Sequence, residues 1–296
     1  MDGLATSLKR LLRDRRSGSS AIAARFCRLC LAELRRSQTR ITTATCESAL
    51  KEIVETFPAM ALLHTLQDRL RGTLQNRGRS LVEIDRQHLS KLFTSFIDEL
   101  AGNRRQAALH FVRSARQNNS FLTLSASGAV LEACAVLHDH LSQARRRRPG
   151  PTVIVCESRP AREGVATARR LHNLGCKVTL MADAAMGHWI EEVDAVLLGA
   201  DWIDRKGFIN KTGSLALSKL ALFQRKPVYV IGDSLRIRNT VFRASRLPNA
   251  DPTEVLKRPE SGLTVENRYF ERVPWNAPHV LVTEAGTRWP GSGSTG

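Results

Sequence analysis

Residues 151–233 constrain the fold more than any other part of the chain. They contain, in order, TVIVCESRPAREG, CKVTLMADAA, VDAVLLGADWIDRKGFINKTGS and KPVYVIGD. Each segment carries a short β-branched run ending in small or polar residues, and a helical period commonly follows. Repeated strands with polar ends mark an open parallel α/β sheet, whose ligands bind outside the carboxyl ends of the strands. Strands are therefore expected at 152–156, 177–181, 195–198 and 227–231, with an earlier one at 120–124 and a late one at 280–282. Helices are expected from near Ala129, over 163–174 and from Ser214, and a turn at 204–207.

The residues before this sheet have a different period. From Leu4 to about Gln117 apolar side chains recur at three- and four-residue steps, as in Ile22, Phe26, Leu29, Cys30 and Leu34 after Ser19 or Ser20, either of which can cap a helix. Thr42 or Thr43 opens the next helix, with Leu50, Ile53, Val54 and Phe57 on one face and Pro58 at its end. Leu62, Leu66 and Leu70 mark a third. After a break at Gly78, a long helix carries Leu81, Ile84, Leu89, Phe93, Phe96 and Leu100, with a kink expected at Gly102-Asn103. The fold class is α/β: a helical bundle over 1–118, a Rossmann-like domain with a mainly parallel sheet over 119–288, and a disordered tail over 289–296.

With 296 residues the chain can bury a sizeable core. No run of 18 uncharged apolar residues occurs and the N-terminus lacks an apolar signal core, so a cytoplasmic protein without a membrane partner is expected. The formal net charge of +17 comes mostly from Arg, which suits phosphorylated ligands, acidic partners or nucleic acid. No zinc-finger spacing, aromatic RNA-binding signature or helix-turn-helix pattern supports nucleic acid, and Arg145–Arg148 is the one real basic block. Cys27 and Cys30 form a C-x-x-C on an amphipathic helix, without a second pair at zinc spacing. They read as core packing, and no metal or cofactor is expected.

The expected strand ends collect Ser125, Glu157, Arg159, Asp183, Asp201, Asn210 and Lys211, with Gly128, Gly164, Gly199 and Gly213 close by in sequence. Arg159 and Lys211 suit a phosphate, helix N-termini after Ser127 and Thr212 offer N–H groups, and small residues let a ligand approach the backbone. Asp183 and Asp201 are acceptors for hydroxyls or general acid/base candidates. A phosphorylated sugar or polyol fits this set. An adenine dinucleotide does not, because no G-x-G-x-x-G follows a strand.

Glu157-Ser158-Arg159-Pro160 with Glu163-Gly164, Asp183-Ala184-Ala185, Gly199-Ala200-Asp201 and Asn210-Lys211-Thr212-Gly213-Ser214 resemble the signature series of the translation initiation factor 2B alpha/beta/delta superfamily. That superfamily includes ribose-1,5-bisphosphate isomerase and methylthioribose-1-phosphate isomerase. Arg16-Ser17-Gly18 is similar to its early arginine-glycine segment. The resemblance implies a helical domain, a Rossmann-like domain and dimers built through the latter. For the isomerases it implies conversion of an aldose-1-phosphate to a ketose phosphate, with Asp201 as catalytic acid/base, Arg159 on phosphate, and Asn210 and Lys211 on substrate oxygens. Arg16, Ser17, Gly18, Gly164 and Asp183 join the expected substrate-binding set. Ser125 occupies the place of the isomerases' catalytic cysteine, and a hydroxyl exchanges protons near neutrality only when activated. Two readings follow: a sugar-phosphate or nucleotide-binding isomerase relative, or a non-catalytic regulatory or assembly protein with protein partners.

Overall fold

The computed structural model describes residues 2–36, 43–75, 86–143, 150–258, 260–276 and 278–290. The expected cap at Thr42, the break at Gly78, Leu81, Ile84, the Arg145–Arg148 block and the GSGSTG tail lie outside the described residues.

Five helices lead the chain: α1 (Asp2–Leu12), α2 (Ser19–Arg35), α3 (Thr43–Thr56), α4 (Ala61–Gln75) and α5 (Arg86–Ser114). Their stripes bury Ile22, Phe26, Cys30, Leu50, Ile53, Leu62, Leu66, Leu70, Phe93 and Phe96 in one core. Cys27 belongs to it too, and burial pushes its thiol up to about 12, as expected for a packing residue. Gly18, not Ser19 or Ser20, is the N-cap of α2, so the serine hydroxyls are free for another task.

At Gly102-Asn103, where a kink is expected, the helical hydrogen bonding is not interrupted, and α5 runs on for 29 residues. Packing on both halves overrides the local glycine preference. Leu89, Phe93, Phe96 and Leu100 face the helical core. Ala107, Ala108, Phe111 and Val112 face the sheet. One rigid element thus belongs to both layers.

The α/β part follows as β1 (Ser120–Thr123), α6 (Gly128–Ser142), β2 (Thr152–Cys156), α7 (Glu163–Asn173), β3 (Lys177–Met181), α8 (Met186–Trp189) and β4 (Ala195–Gly199). Then come β5 (Trp202–Asp204), β6 (Gly207–Lys211), α9 (Ser214–Phe223), β7 (Val228–Ile231), β8 (Phe270–Pro274), β9 (His279–Thr283) and β10 (Gly286–Arg288). The main sheet has the order β10-β9-β7-β4-β1-β2-β3, parallel except for the β9–β10 pair. Both its faces are covered, which accounts for the near-continuous apolar runs. Phe121, Val153, Leu197 and Tyr229 pack under α5 and α6 on one face. Leu122, Ile154, Leu198 and Val230 pack on the other with Leu217 and Ala221 of α9.

The chain winds from β1 through β2 to β3, then returns to lay β4 on the other side of β1. Successive crossovers therefore diverge between β1 and β4, and a crevice opens there at the strands' carboxyl ends. Beside it β5, β6 and β8 form an antiparallel sheet that local pattern did not announce. The expected turn at 204–207 is its hairpin, and Gly207 is required there because a Cβ would lie 2.1 Å from the Val273 carbonyl oxygen. Among the described residues no helix is long and apolar enough to cross a membrane.

Candidate functional site

The crevice between β1 and β4 opens into a cavity of about 1130 Å³ bounded on the other side by α2 and α5. Ser125 and Asp201, at the ends of these two strands, both line it, with Arg16, Ser17, Gly18, Asn210 and Lys211. Gly18 reaches this place by close approach, since a Cβ there would sit 2.7 Å from the Ala126 carbonyl oxygen. Asp14 shapes the same segment by accepting the N–H groups of Arg16 and Ser17 and pairing with Arg25. Burial raises its pKa, but the Ser17 and Arg16 bonds and the Arg25 charge outweigh it and hold the carboxyl below its ordinary value.

Ser125 is held in a left-handed conformation, φ +65°, near two more non-glycine residues of that kind, Ser158 at +63° and Arg162 at +58°. Such backbone costs on the order of 1–3 kcal/mol per residue and persists where its surroundings over-determine it. Here the Ser125 N–H donates to Ser158 Oγ at 2.7 Å and its carbonyl accepts from Thr167 Oγ1 at 2.8 Å. The hydroxyl donates to Glu163 Oε1 at 3.1 Å. Lys211 Nζ reaches the same oxygen at 2.8 Å, with its ammonium 4.3 Å from the Tyr269 ring centroid. Glu163 is buried, and its Oε2 has no hydrogen-bond partner among the described residues.

Across the crevice, Asp201 is anchored through its backbone: its N–H donates to Ile209 and its carbonyl accepts from Ala61, the first residue of α4. Burial raises the pKa of its carboxyl, opposed by a hydrogen bond from Ser19 and the charges of Arg236 and Lys211. The protonated form is thus favoured more than in an exposed aspartate. Arg236, itself buried, pairs with Asp233 and reaches Ser20 Oγ at 2.5 Å. The α2 serines are used here, between the acid and the guanidinium. Asn210 Nδ2 donates to Ser214 Oγ at 2.9 Å on the adjoining wall.

Three expected site residues stand apart. Arg159 is exposed and is not among the residues lining the cavity; Arg162 of the same loop is, and pairs with Glu157 at 3.0 Å. Asp183 spends both carboxylate oxygens on the backbone N–H groups of Ser158 and Arg159, each at 2.7 Å, so it fixes the loop instead of facing a ligand. Gly164 lies behind the wall, where a Cβ would fall 1.9 Å from the Cys156 carbonyl oxygen. Its role is to seat α7 on β2. Cys156 does not line the cavity and supplies no substitute thiol; burial, with the Asp183 charge, pushes it up to about 12. Glu163, Arg236 and Tyr269 line the cavity without having been expected there. Glu163 had a signal, its place beside Gly164 in the quoted series. Arg236 had a weaker one, three residues after the strand-end Asp233, and Tyr269 had none because β8 itself was not foreseen.

Residues 15–290 match the model of the initiation factor 2 subunit family. The chain belongs to that family. A relative from Pyrococcus abyssi, "putative translation initiation factor eIF-2B subunit 2-like", is 28% identical over 247 residues, covering 81% of each chain. Ribose 1,5-bisphosphate isomerase of Archaeoglobus fulgidus is 28% identical over 246 residues, covering 78% of this chain and 74% of the relative. The crystal structure of the Pyrococcus horikoshii translation initiation factor eIF-2B superposes with a TM-score of 0.77 at 23% identity over 98% of both chains, which shows the shared fold. The family thus includes proteins named for translation and a sugar-phosphate isomerase. At the cavity the family member described here carries Ser125, hydrogen-bonded to Glu163 and facing Asp201 across the crevice.

Proposed function

We propose that this cavity binds a phosphorylated sugar or nucleotide in the cytoplasm, and that the chain is an isomerase converting an aldose-1-phosphate to a ketose phosphate, of the ribose-1,5-bisphosphate type. One observation carries the reading. A cavity rich in arginine at the β1/β4 switch point holds a half-buried carboxyl, Asp201, whose surroundings favour its protonated form. Cations suit the phosphate, and Asp201 can give a proton to a sugar oxygen and take one back. Asn210 and Lys211 stand where they would hold the sugar's other oxygens. The likeness to the Archaeoglobus isomerase supports the same substrate class.

The second reading is a metabolite-sensing or assembly subunit, and one feature favours it: the residue at the place of the isomerases' cysteine is Ser125, whose hydroxyl is far less acidic than a thiol. In either reading we take the chain to pair with itself through the α/β layer, where Phe223, 82% exposed, and Leu222 end α9. Calorimetric titration with ribose-1,5-bisphosphate, methylthioribose-1-phosphate and AMP, with the same samples assayed for ketose, tests the proposal. Binding with product supports the isomerase. Binding without product supports the sensor, and no binding by any of the three refutes the cavity assignment.

A further inference from the structure

We infer that Glu163 is the proton acceptor for Ser125, so that a carboxylate acting through a serine performs the exchange a cysteine would otherwise perform. This rests on the isomerase reading of the cavity and names a positioning residue within it. Four observations support it. Ser125 Oγ points its proton at Glu163 Oε1 over 3.1 Å, leaving the oxygen's lone pairs for a ligand. Ser125 is locked at its N–H and its carbonyl in a left-handed backbone that a free serine avoids, which fixes its Cα–Cβ bond beside this partner. Lys211 Nζ at 2.8 Å and the first turn of α7 hold Glu163 Oε1 in place beside the hydroxyl. Finally, Glu163 Oε2 is buried without a hydrogen-bond partner among the described residues, an expense that a purely structural ion pair would have removed with one further donor.

The step balances without an added reagent. The C2 proton of the bound aldose-1-phosphate passes to Ser125 Oγ as the Oγ–H proton passes to Glu163 Oε1; the C2–H electron pair forms a C1–C2 double bond, and the bond from C1 to the ring oxygen breaks as Asp201 protonates that oxygen. The 2-hydroxyl of the resulting enol then returns a proton to Asp201, C1 takes a proton from Ser125 Oγ, and Ser125 recovers its own from Glu163, so both carboxyls regain their starting states and one hydrogen has moved from C2 to C1.

The test uses the full chain in four forms: wild type, Glu163→Gln, Ser125→Cys and the double variant, with ribose-1,5-bisphosphate as probe. The amide can still accept a hydrogen bond but cannot take the proton. Glu163→Gln should therefore lower kcat about a hundredfold without weakening calorimetric binding. A thiol ionises by itself near pH 8.5, so Ser125→Cys should restore at least about a tenth of wild-type turnover in the Glu163→Gln background. A role in packing alone would not be rescued that way. Unchanged kcat in Glu163→Gln, a double variant as slow as Glu163→Gln, or a wild type that binds without turnover would each overturn the relay while leaving the ligand assignment standing. Absence of binding in the wild type would instead refute the proposed function itself.

Discussion

Gly164→Ala tests whether α7 is held in its place by a backbone contact. A Cβ built at this position lies 1.9 Å from the Cys156 carbonyl oxygen and 3.0 Å from the carbonyl carbons of Cys156 and Glu157. Ordinary contact begins near 3.4 Å, so the helix must move by about 1.5 Å, and the obstacle is backbone that no rotamer change can clear. Overpacking of this kind costs about 1–3 kcal/mol, and alanine's better helix propensity returns less than ~1 kcal/mol, which leaves a net loss of about 2 kcal/mol. The neighbouring Glu163 moves with the helix, so its 3.1 Å and 2.8 Å bonds to Ser125 and Lys211 stretch beyond hydrogen-bond range. Gly102→Ala is the matched control: exposed, mid-helix in α5, with nothing within 4 Å of its added carbon. It should stabilise by about 0.5–1 kcal/mol. Urea unfolding of the three proteins with a common m-value measures both. If Gly164→Ala unfolds at or above the wild-type midpoint, or if the two alanines shift it alike, the steric account of α7 is wrong.

Two further outcomes follow from buried titrating groups. His279, packed against Phe208 and Trp275 and bonded to Ser218, is pushed down to about 4 by burial, partly offset by its bond with Asn276. Because its folded pKa lies below the unfolded value near 6.5, its contribution is complete above that pH and is lost as pH falls toward 4; about 3 kcal/mol of stability should disappear over that interval, and His279→Gln should flatten the dependence in urea midpoints taken at pH 7 and pH 4.5. Asp201 has the opposite sign: its raised folded pKa means that ionisation opposes folding, so stability is greatest below its unfolded value and declines as pH rises through the folded one. Asp201→Asn should therefore unfold at higher urea than wild type at pH 7 and match it near pH 3.5, while losing turnover and keeping affinity; equal midpoints at pH 7 would show that the carboxyl is solvated after all.

The parallel sheet was legible because its signals are local. β2, β4, β7 and β9 are runs of mainly apolar residues whose two faces are both buried, so no knowledge of their neighbours is needed to recognise them, while the edge strand β3 is half exposed and is marked by its β-branched Val178 and Thr179. The strand-end rule then placed Ser125, Asp201, Asn210 and Lys211 in one cavity. It failed for Asp183, which also ends a strand, because the rule says where a side chain is and not whether the backbone nearby will claim it. The two N–H groups of Ser158 and Arg159 did. The long α5 was also legible, but why it continues past Gly102 was not: glycine weakens a helix locally, and only the two cores gripping its halves show how the weakness is overridden.

What sequence could not supply was the pairing of side chains distant along the chain. Ser19 and Ser20 carry every local mark of helix caps, yet the cap is Gly18 and their hydroxyls serve Asp201 and Arg236, more than 180 residues away. Glu163 looks like an ordinary acidic residue at a helix start, where it would interact favourably with the dipole and water. The left-handed turn at Ser125 and the hairpin carrying Lys211 bring both donors to one of its oxygens. By the resemblance, Ser125 stands where the isomerases carry a thiol, and its meaning depends on what surrounds the hydroxyl. A serine facing solvent at that place would argue against proton exchange; one aimed at a buried carboxylate, in a cavity that also holds an aspartyl group with a raised pKa, is what the proposed relay requires.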